Sequence, residues 1–151
     1  MQSSKVQLQA LPVPEDPYVL DEQVGFLLRV AVQRHTAIFT ARMLGELTQT
    51  QFAAIAKLHE VGPCSQNQLG RLICLDGATI KGVVDRLSLR HLVTVVNDPN
   101  DRRRRAVALT SHGRETAEKA QKVAAEITTA TLSPLSHEEQ LQLARLLKRI
   151  A

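Results

Sequence analysis

Four consecutive arginines, Arg102 to Arg105, follow the turn-rich stretch Asn97-Asp98-Pro99-Asn100-Asp101. Guanidinium groups are planar and permanently charged, and they fit phosphate oxygens in pairs, so four on one loop are suited to a polyanion. Upstream, Ala78, Thr79, Lys81, Gly82 and Asp85 share one side of a helical pattern, opposite Ile80, Val83, Val84 and Leu87. The polar side offers groups that match base edges in a major groove. Lys81 can donate to guanine, Thr79 can bond either way, and Ala78 can meet a thymine methyl. Gly82 is costly inside a helix, by about 1 kcal/mol relative to alanine. Close approach to a duplex or close packing against a strand would each account for it.

The charge distribution points the same way. The chain carries a net +4, and from Ser65 to Arg114 nine basic residues face four acids, a local excess of +5 that leaves the remainder at −1. A middle third holding the whole excess suits a polyanion partner, and on charge alone a solvated basic face accounts for it equally.

A second group of residues suggests a small ligand. His35 and Arg42 interrupt the apolar series Val24, Leu28, Ala31, Ile38, and His59 continues the series Phe52, Ile55, Ala56. Polar groups facing a core need partners. An anionic aromatic compound would supply them, its carboxylate meeting a cation and its ring lying near Phe39 and Phe52. Ordinary buried hydrogen bonds or interface salt bridges are the other reading of the same residues.

Other chemistries find little support. There is no Gly-rich phosphate loop, no G-x-S-x-G and no H-E-x-x-H, so an enzyme is not indicated. His59, Cys64 and Cys74 lack paired zinc spacing, so neither a metal nor another cofactor is expected. Two cysteines suit a reducing compartment without structural disulfides. Met1 to Ala10 has no apolar core of a signal peptide, and no apolar run approaches the length of a membrane span. A cytoplasmic location without membrane attachment is expected.

Positioning these groups requires a particular order of elements. Pro12, Pro14 and Pro17 make residues 1–20 read as an extended arm, and a long helix is expected over 21–46. Three helix starts share one capping signature: Thr48 with Gln51, Ser65 with Gln68, and Ser136 with Glu139. A helix should therefore run from Thr48 to Val61, where Gly62-Pro63 stops it, and a short one from Ser65 to about Ile73. After a break at Cys74-Leu75-Asp76, Asp76 caps a helix over 77–90. In this arrangement Leu69, Leu72 and Ile73 brace the second helix. The period then changes to that of a β-hairpin, 92–96 and 105–109, with the arginines at its tip. Within a strand alternate residues face opposite ways, so two of the four arginines would reach a minor groove while the others pair with Asp98 or Asp101. A second long helix over 111–132 carries the seam Ala117, Ala120, Ala124, Ile127, Thr131, and a last helix from Ser136 places Leu143, Leu146, Leu147 and Ile150 on one face.

Short helix, tight break, second helix and basic hairpin resemble the MarR family of winged helix-turn-helix transcription regulators. The resemblance spans 21–151 and rests on LTQTQFAAIAKLHEVGPCSQNQLGRL (Leu47 to Leu72), DGATIKGVVDRLSLRHLV (Asp76 to Val93) and DPNDRRRRAVALTSHG (Asp98 to Gly113). The overall wording is similar to the branch that represses nicotinic-acid breakdown. One departure is His91, where the family usually has glycine; histidine tolerates the left-handed conformation better than most residues, so the turn is expected to survive. The resemblance implies a mainly α fold with a small β-hairpin wing, dimerised through its N- and C-terminal helices. That divides the chain into an arm (1–20), a dimerisation helix (21–46), a DNA-binding region (47–110) and C-terminal dimerisation helices (111–151). It implies a near-palindromic operator in double-stranded DNA, repression, and release by a small aromatic acid. It carries DNA contact onto Ser65, Gln66, Ala78, Thr79, Lys81, Gly82 and Arg102 to Arg105, wing bracing onto Arg86 through Asp98 or Asp101, and an effector pocket onto the region of His35, Phe39, Arg42, Phe52 and His59. Two other readings remain: a winged helix that docks proteins instead of DNA, and a thiol-based redox-sensing repressor using Cys64 or Cys74.

Overall fold

The computed structural model describes residues 17–151. The arm expected over 1–20 therefore lies mostly outside the described residues. Residues 17–19 are irregular and lead into a 3-10 turn, Leu20–Glu22. Six helices follow among the described residues: α1 (Val24–Arg42), α2 (Gln49–Val61), α3 (Gln66–Leu72), α4 (Gly77–Leu89), α5 (Ser111–Leu132) and α6 (His137–Ile150). Between α4 and α5 lies an antiparallel hairpin of β1 (Val93–Asn97) and β2 (Arg105–Leu109), in register from Val93 opposite Leu109 to Asn97 opposite Arg105.

The first long helix is shorter than the pattern predicts. It stops at Arg42 because Met43 is extended and Gly45 is left-handed at φ 57°, within a second 3-10 turn, Leu44–Glu46. A backbone in that region cannot carry α-helical hydrogen bonds onward, and Gly45 enters it without steric cost. The other starts follow their caps. Thr48 and Ser136 form reciprocal boxes with Gln51 and Glu139, and Ser65, Asp76 and Thr110 each accept a backbone N–H from the third helical residue.

The core joins α2, α4 and the middle of α5. Ala54, Ile55, Leu69, Ile80, Leu87, Leu92, Ala117, Ala120 and Ile127 are fully or almost fully buried. The small seam of α5 lets it lie close to both α1 and α2 within the chain. Where α5 begins, the approach is tighter still: a Cβ on Gly113 would lie 1.9 Å from the carbonyl oxygen of Leu92. Of the α1 stripe, by contrast, Val24, Leu28, Ala31 and Arg42 are exposed, His35 and Ile38 are half-buried, and Phe39 is the one fully buried residue of the helix. α6 has no buried residue at all.

Candidate nucleic-acid interface

α3 and α4 meet at a crossing set by Gly70, where an added Cβ would lie 3.1 Å from both Ile80 Cγ2 and the Leu75 carbonyl. The break between the helices is closed by Leu75 N–H donating to the Gly70 carbonyl (2.8 Å), with Cys74 left-handed at φ 59°. Leu69 is fully buried beneath α4 and Ile73 half-buried, but Leu72 is exposed, contrary to its expected inward position. With only seven residues, α3 covers α4 with one side of less than two turns, and Leu72 falls outside it.

α4 divides as its pattern requires. Ile80, Val83, Val84 and Leu87 are buried, while Ala78, Thr79, Lys81 and Asp85 are exposed. Asp76 accepts the Thr79 N–H at 2.8 Å. That backbone hydrogen bond, helped by the Thr79 hydroxyl and the Ala78 N–H, holds the carboxyl below its usual range. Lys81 Nζ lies 2.7 Å from Asp85, one turn on, so the lysine is held against its own helix. Gly82 packs against no strand: the nearest group to its missing Cβ is the Arg86 guanidinium, at 3.4 Å.

That position of Arg86 corrects the expected brace. Among the described residues Arg86 makes no ion pair with Asp98 or Asp101; both acids instead fold the wing loop. Asp98 accepts the Asn100 N–H at 2.8 Å, and Asp101 accepts the Arg103 N–H at 3.0 Å. These are short Asx turns, which fold the tip locally. Of the four arginines only Arg104 lies near an acid, with Nε 3.6 Å from Asp101. Arg102, Arg103 and Arg105 are exposed, with no carboxylate within 4 Å among the described residues. The wing base is firmer. His91 is left-handed at φ 56°, as expected for the position where glycine is usual, and Thr110 donates its hydroxyl to the His91 carbonyl at 2.6 Å. Cys64 exchanges both backbone hydrogen bonds with Val107, at 3.2 and 2.7 Å, which ties the loop before α3 to β2. Ser65 and Gln66, next in the chain, are half-buried, and the Ser65 hydroxyl is occupied with the Gln68 N–H.

The expected effector residues are only partly brought together. His35, Phe39 and Phe52 line one cavity of about 180 Å³ with Gln49, Ala124, Ile127 and Thr128. Its rings form a tilted series, with centroids 6.3 Å apart for His35–Phe39 and 6.1 Å for Phe39–Phe52. Arg42 stands apart, in an open cleft with Arg34 and Glu126 on another side of α1 and α5. His59 is also apart, 3.4 Å from both Glu118 and Gln121. The reason is helical geometry. Arg34, Ile38 and Arg42 face the Glu126 side of α5, whereas His35, one residue and about 100° around the helix from Arg34, faces Ala124, Ile127 and Thr128; His59 follows Phe52 by seven residues, two turns or about 10 Å along α2. The sequence reading missed Gln49 and Thr128. Gln49 precedes Phe52 by three, a helical neighbour, and Thr128 adjoins Ile127 of the recognised seam.

Of the cysteines, Cys64 is buried and Cys74 exposed. Burial, and secondarily the charge of Asp98, push the Cys64 thiol up, away from the reactive thiolate. Among the described residues no helix is long and apolar enough to cross a membrane.

The profile of the MarR family matches residues 47–104, from the start of the α2 cap to the wing arginines. The chain is 38% identical over 149 residues to the HTH-type transcriptional repressor NicR of Pseudomonas putida, covering 98% of this chain and 94% of that protein. A probable transcriptional regulator from Pseudomonas aeruginosa is 49% identical with a TM-score of 0.84, covering 88% of this chain and all of that one. BpsR of Bordetella bronchiseptica, whose DNA binding is regulated by 6-hydroxynicotinic acid, is 39% identical with a TM-score of 0.83, covering 89% and 97% of the two chains.

Proposed function

This chain belongs to the MarR family, and from that premise we propose that it is a homodimeric repressor that binds a near-palindromic operator and is released by a pyridine carboxylate or a related aromatic acid. One observation carries the DNA reading. α4 buries four aliphatic residues and leaves Ala78, Thr79, Lys81 and Asp85 exposed, beside a wing with three exposed arginines lacking carboxylate partners among the described residues. A helix so braced can enter a major groove while arginines from the wing enter the adjacent minor groove. Ser65 and Gln66, at the start of α3, are assigned to supporting backbone contacts.

The dimer reading rests on unpartnered apolar surface. Tyr18, Leu20, Val24 and Leu27 at the beginning of the chain and Leu141, Leu146, Leu147 and Ile150 on α6 are exposed in one protomer. Exposed apolar side chains in such number are a common mark of an interface, and a second copy covering them would present two α4 helices to one duplex. Dimerisation through 21–46 and 111–151 and DNA reading through 47–110 follow from this division. The cytoplasm is where such a protein meets its operator.

The aromatic cavity supports the effector. His35 is the one titratable group lining it, and Gln49 and Thr128 add hydrogen-bonding capacity, so a carboxylate on a single ring finds both polar and π-face partners there. The relation to NicR and BpsR favours a pyridine ring over a benzene ring. Selecting duplexes from a random pool and then titrating the bound complex with 6-hydroxynicotinic, nicotinic and benzoic acids tests all parts. The expected result is a two-fold symmetric site, and loss of affinity with at least one pyridine acid. An unselective pool would refute the DNA reading; an inert panel would refute the effector.

A further inference from the structure

The polar residues that line the aromatic cavity are not idle. His35 Nδ1 lies 2.8 Å from the Thr131 hydroxyl at the end of α5, and Gln49 Nε2 donates to the Thr36 hydroxyl at 2.9 Å. His35 and Thr36 are consecutive on α1, yet they hold different bodies. His35 reaches the far end of α5, where Arg34 also donates to the carbonyls of Ala130 and Thr131. The Ala130 carbonyl has no helical donor, because the residue four positions on is Pro134 with no N–H to offer, and it accepts the Ser133 hydroxyl as well as Arg34. Thr36 instead reaches the first residue of α2, the helix that carries the reading head. Between them the backbone passes through Met43 and the left-handed Gly45–Glu46 pair, so no continuous helix links α1 to α2.

We infer that Gln49 is the residue through which the cavity speaks to the reading head, and that its hydrogen bond to Thr36 is the element an effector breaks. This rests on the proposed effector site. Gln49 lines the aromatic cavity and also a neighbouring one that includes Thr36, so its amide stands between the two. A carboxylate entering the cavity offers the amide N–H a charged acceptor in place of a neutral hydroxyl. Charge-assisted hydrogen bonds are about twice as strong as neutral ones, so the exchange runs toward the ligand. When Gln49 turns to the ligand, Thr36 loses its partner and α2 is released from α1 at the point where head and stalk join. His35 can bind the same ligand while Arg34 keeps α5 clasped, which localises the change to the head.

The test is a double-mutant cycle in the full-length protein on an operator recovered by selection. Thr36 is exposed, and Thr36→Val keeps its shape; Gln49→Met keeps length and helix preference. Without effector, each single variant should weaken operator binding by about threefold to tenfold, the worth of one hydrogen bond, and the double variant should lose no more than either single. Thr36→Ser should restore wild-type affinity. With 6-hydroxynicotinic acid as probe, the same shift in population should make Thr36→Val bind the acid more tightly than wild type, while Gln49→Met binds it more weakly. Single variants with unchanged or tighter operator binding, or losses that multiply in the double, overturn the tie. Unchanged acid affinity in Thr36→Val overturns its coupling to ligand. A wild-type protein that ignores every acid overturns the effector site and Gln49's role in reading it, while the effector-free cycle still decides the tie separately.

Discussion

Two glycine-to-alanine substitutions should have opposite signs, and the difference can be worked from the backbone. In a helix the exchange normally stabilises by about 1 kcal/mol, because glycine has more freedom to lose on folding. Gly82 on α4 should behave that way: its added Cβ meets only the flexible end of Arg86, at 3.4 Å. Gly113 on α5 should not. There the Cβ would lie 1.9 Å from the Leu92 carbonyl oxygen and 2.8 Å from its carbon, and both are backbone atoms. Ordinary contact begins well beyond 3 Å, so the wing base and α5 must separate by more than an ångström. Leu92 is fixed in its turn by its own N–H bond to Leu87, and its carbonyl accepts from the Thr110 N–H at 3.1 Å, so relief breaks that bond as well. Overpacking of this kind costs about 1–3 kcal/mol and the lost hydrogen bond about 1 more, which exceeds the helical gain. Gly113→Ala should therefore be about 1–3 kcal/mol less stable than wild type, roughly 2–12 °C in melting temperature for a domain of this size. Gly82→Ala should be slightly more stable. Chemical denaturation followed by circular dichroism reads both. Equal stability of wild type and Gly113→Ala would refute the reasoning. Gly82→Ala has a second use: if a duplex approaches α4 closely at this position, the stabler protein will bind DNA more weakly.

Other expected outcomes follow from the site. Lys81→Ala should relax base preference at one position per half-site, by about 1–3 kcal/mol of discrimination, whereas Arg102→Ala or Arg103→Ala should weaken all sequences alike and flatten the salt dependence by about one unit of slope; competition binding over a salt series separates them. His35→Ala and Phe52→Ala should abolish the response to aromatic acids and leave operator binding within a few-fold, while Arg42→Ala and His59→Ala, which lie outside the cavity, should retain the response in the same titration. Asp76 has a lowered folded-state value, so its capping contribution is complete above the ordinary aspartate range near pH 4 and is lost as pH falls through that lowered value. Acid unfolding of Asp76→Asn should lack this component, and an unchanged acid limb would contradict it. Alkylation should label Cys74 long before Cys64, whose raised thiol pKa moves its reactivity to more alkaline pH.

How much of this was legible in the sequence varies with the physics of each part. The inward and outward sides of α4 were readable because aliphatic residues at helical spacing leave few alternatives, and the caps because a hydroxyl three residues before Gln or Glu has a local meaning. The wing strands were found to within a residue for the same reason. What failed depended on distance in space. Helical spacing groups Arg42 with His35 and His59 with Phe52, but Arg42 lines a cleft on another side of α1 with Arg34 and Glu126, and His59 lies two turns on, beside Glu118 and Gln121. The resemblance implies Arg86 against Asp98 or Asp101, but its guanidinium lies beside Gly82 on its own helix while those acids accept backbone N–H groups of their own loop. The end of α1 was misplaced because Gly45 was read as a helix interior residue when it is left-handed. Gln49 carried no signal as a lone glutamine, and gained a role only when α1, α2 and α5 were seen to meet around it.

Two α4 helices of a symmetric dimer are expected to meet one duplex. Protein–DNA stoichiometry by sedimentation, combined with footprinting of the selected operator, tests this most directly. Two chains per duplex, protecting half-sites about 10–10.5 base pairs apart centre to centre, are expected. One chain per duplex, or protection without two-fold spacing, would contradict it.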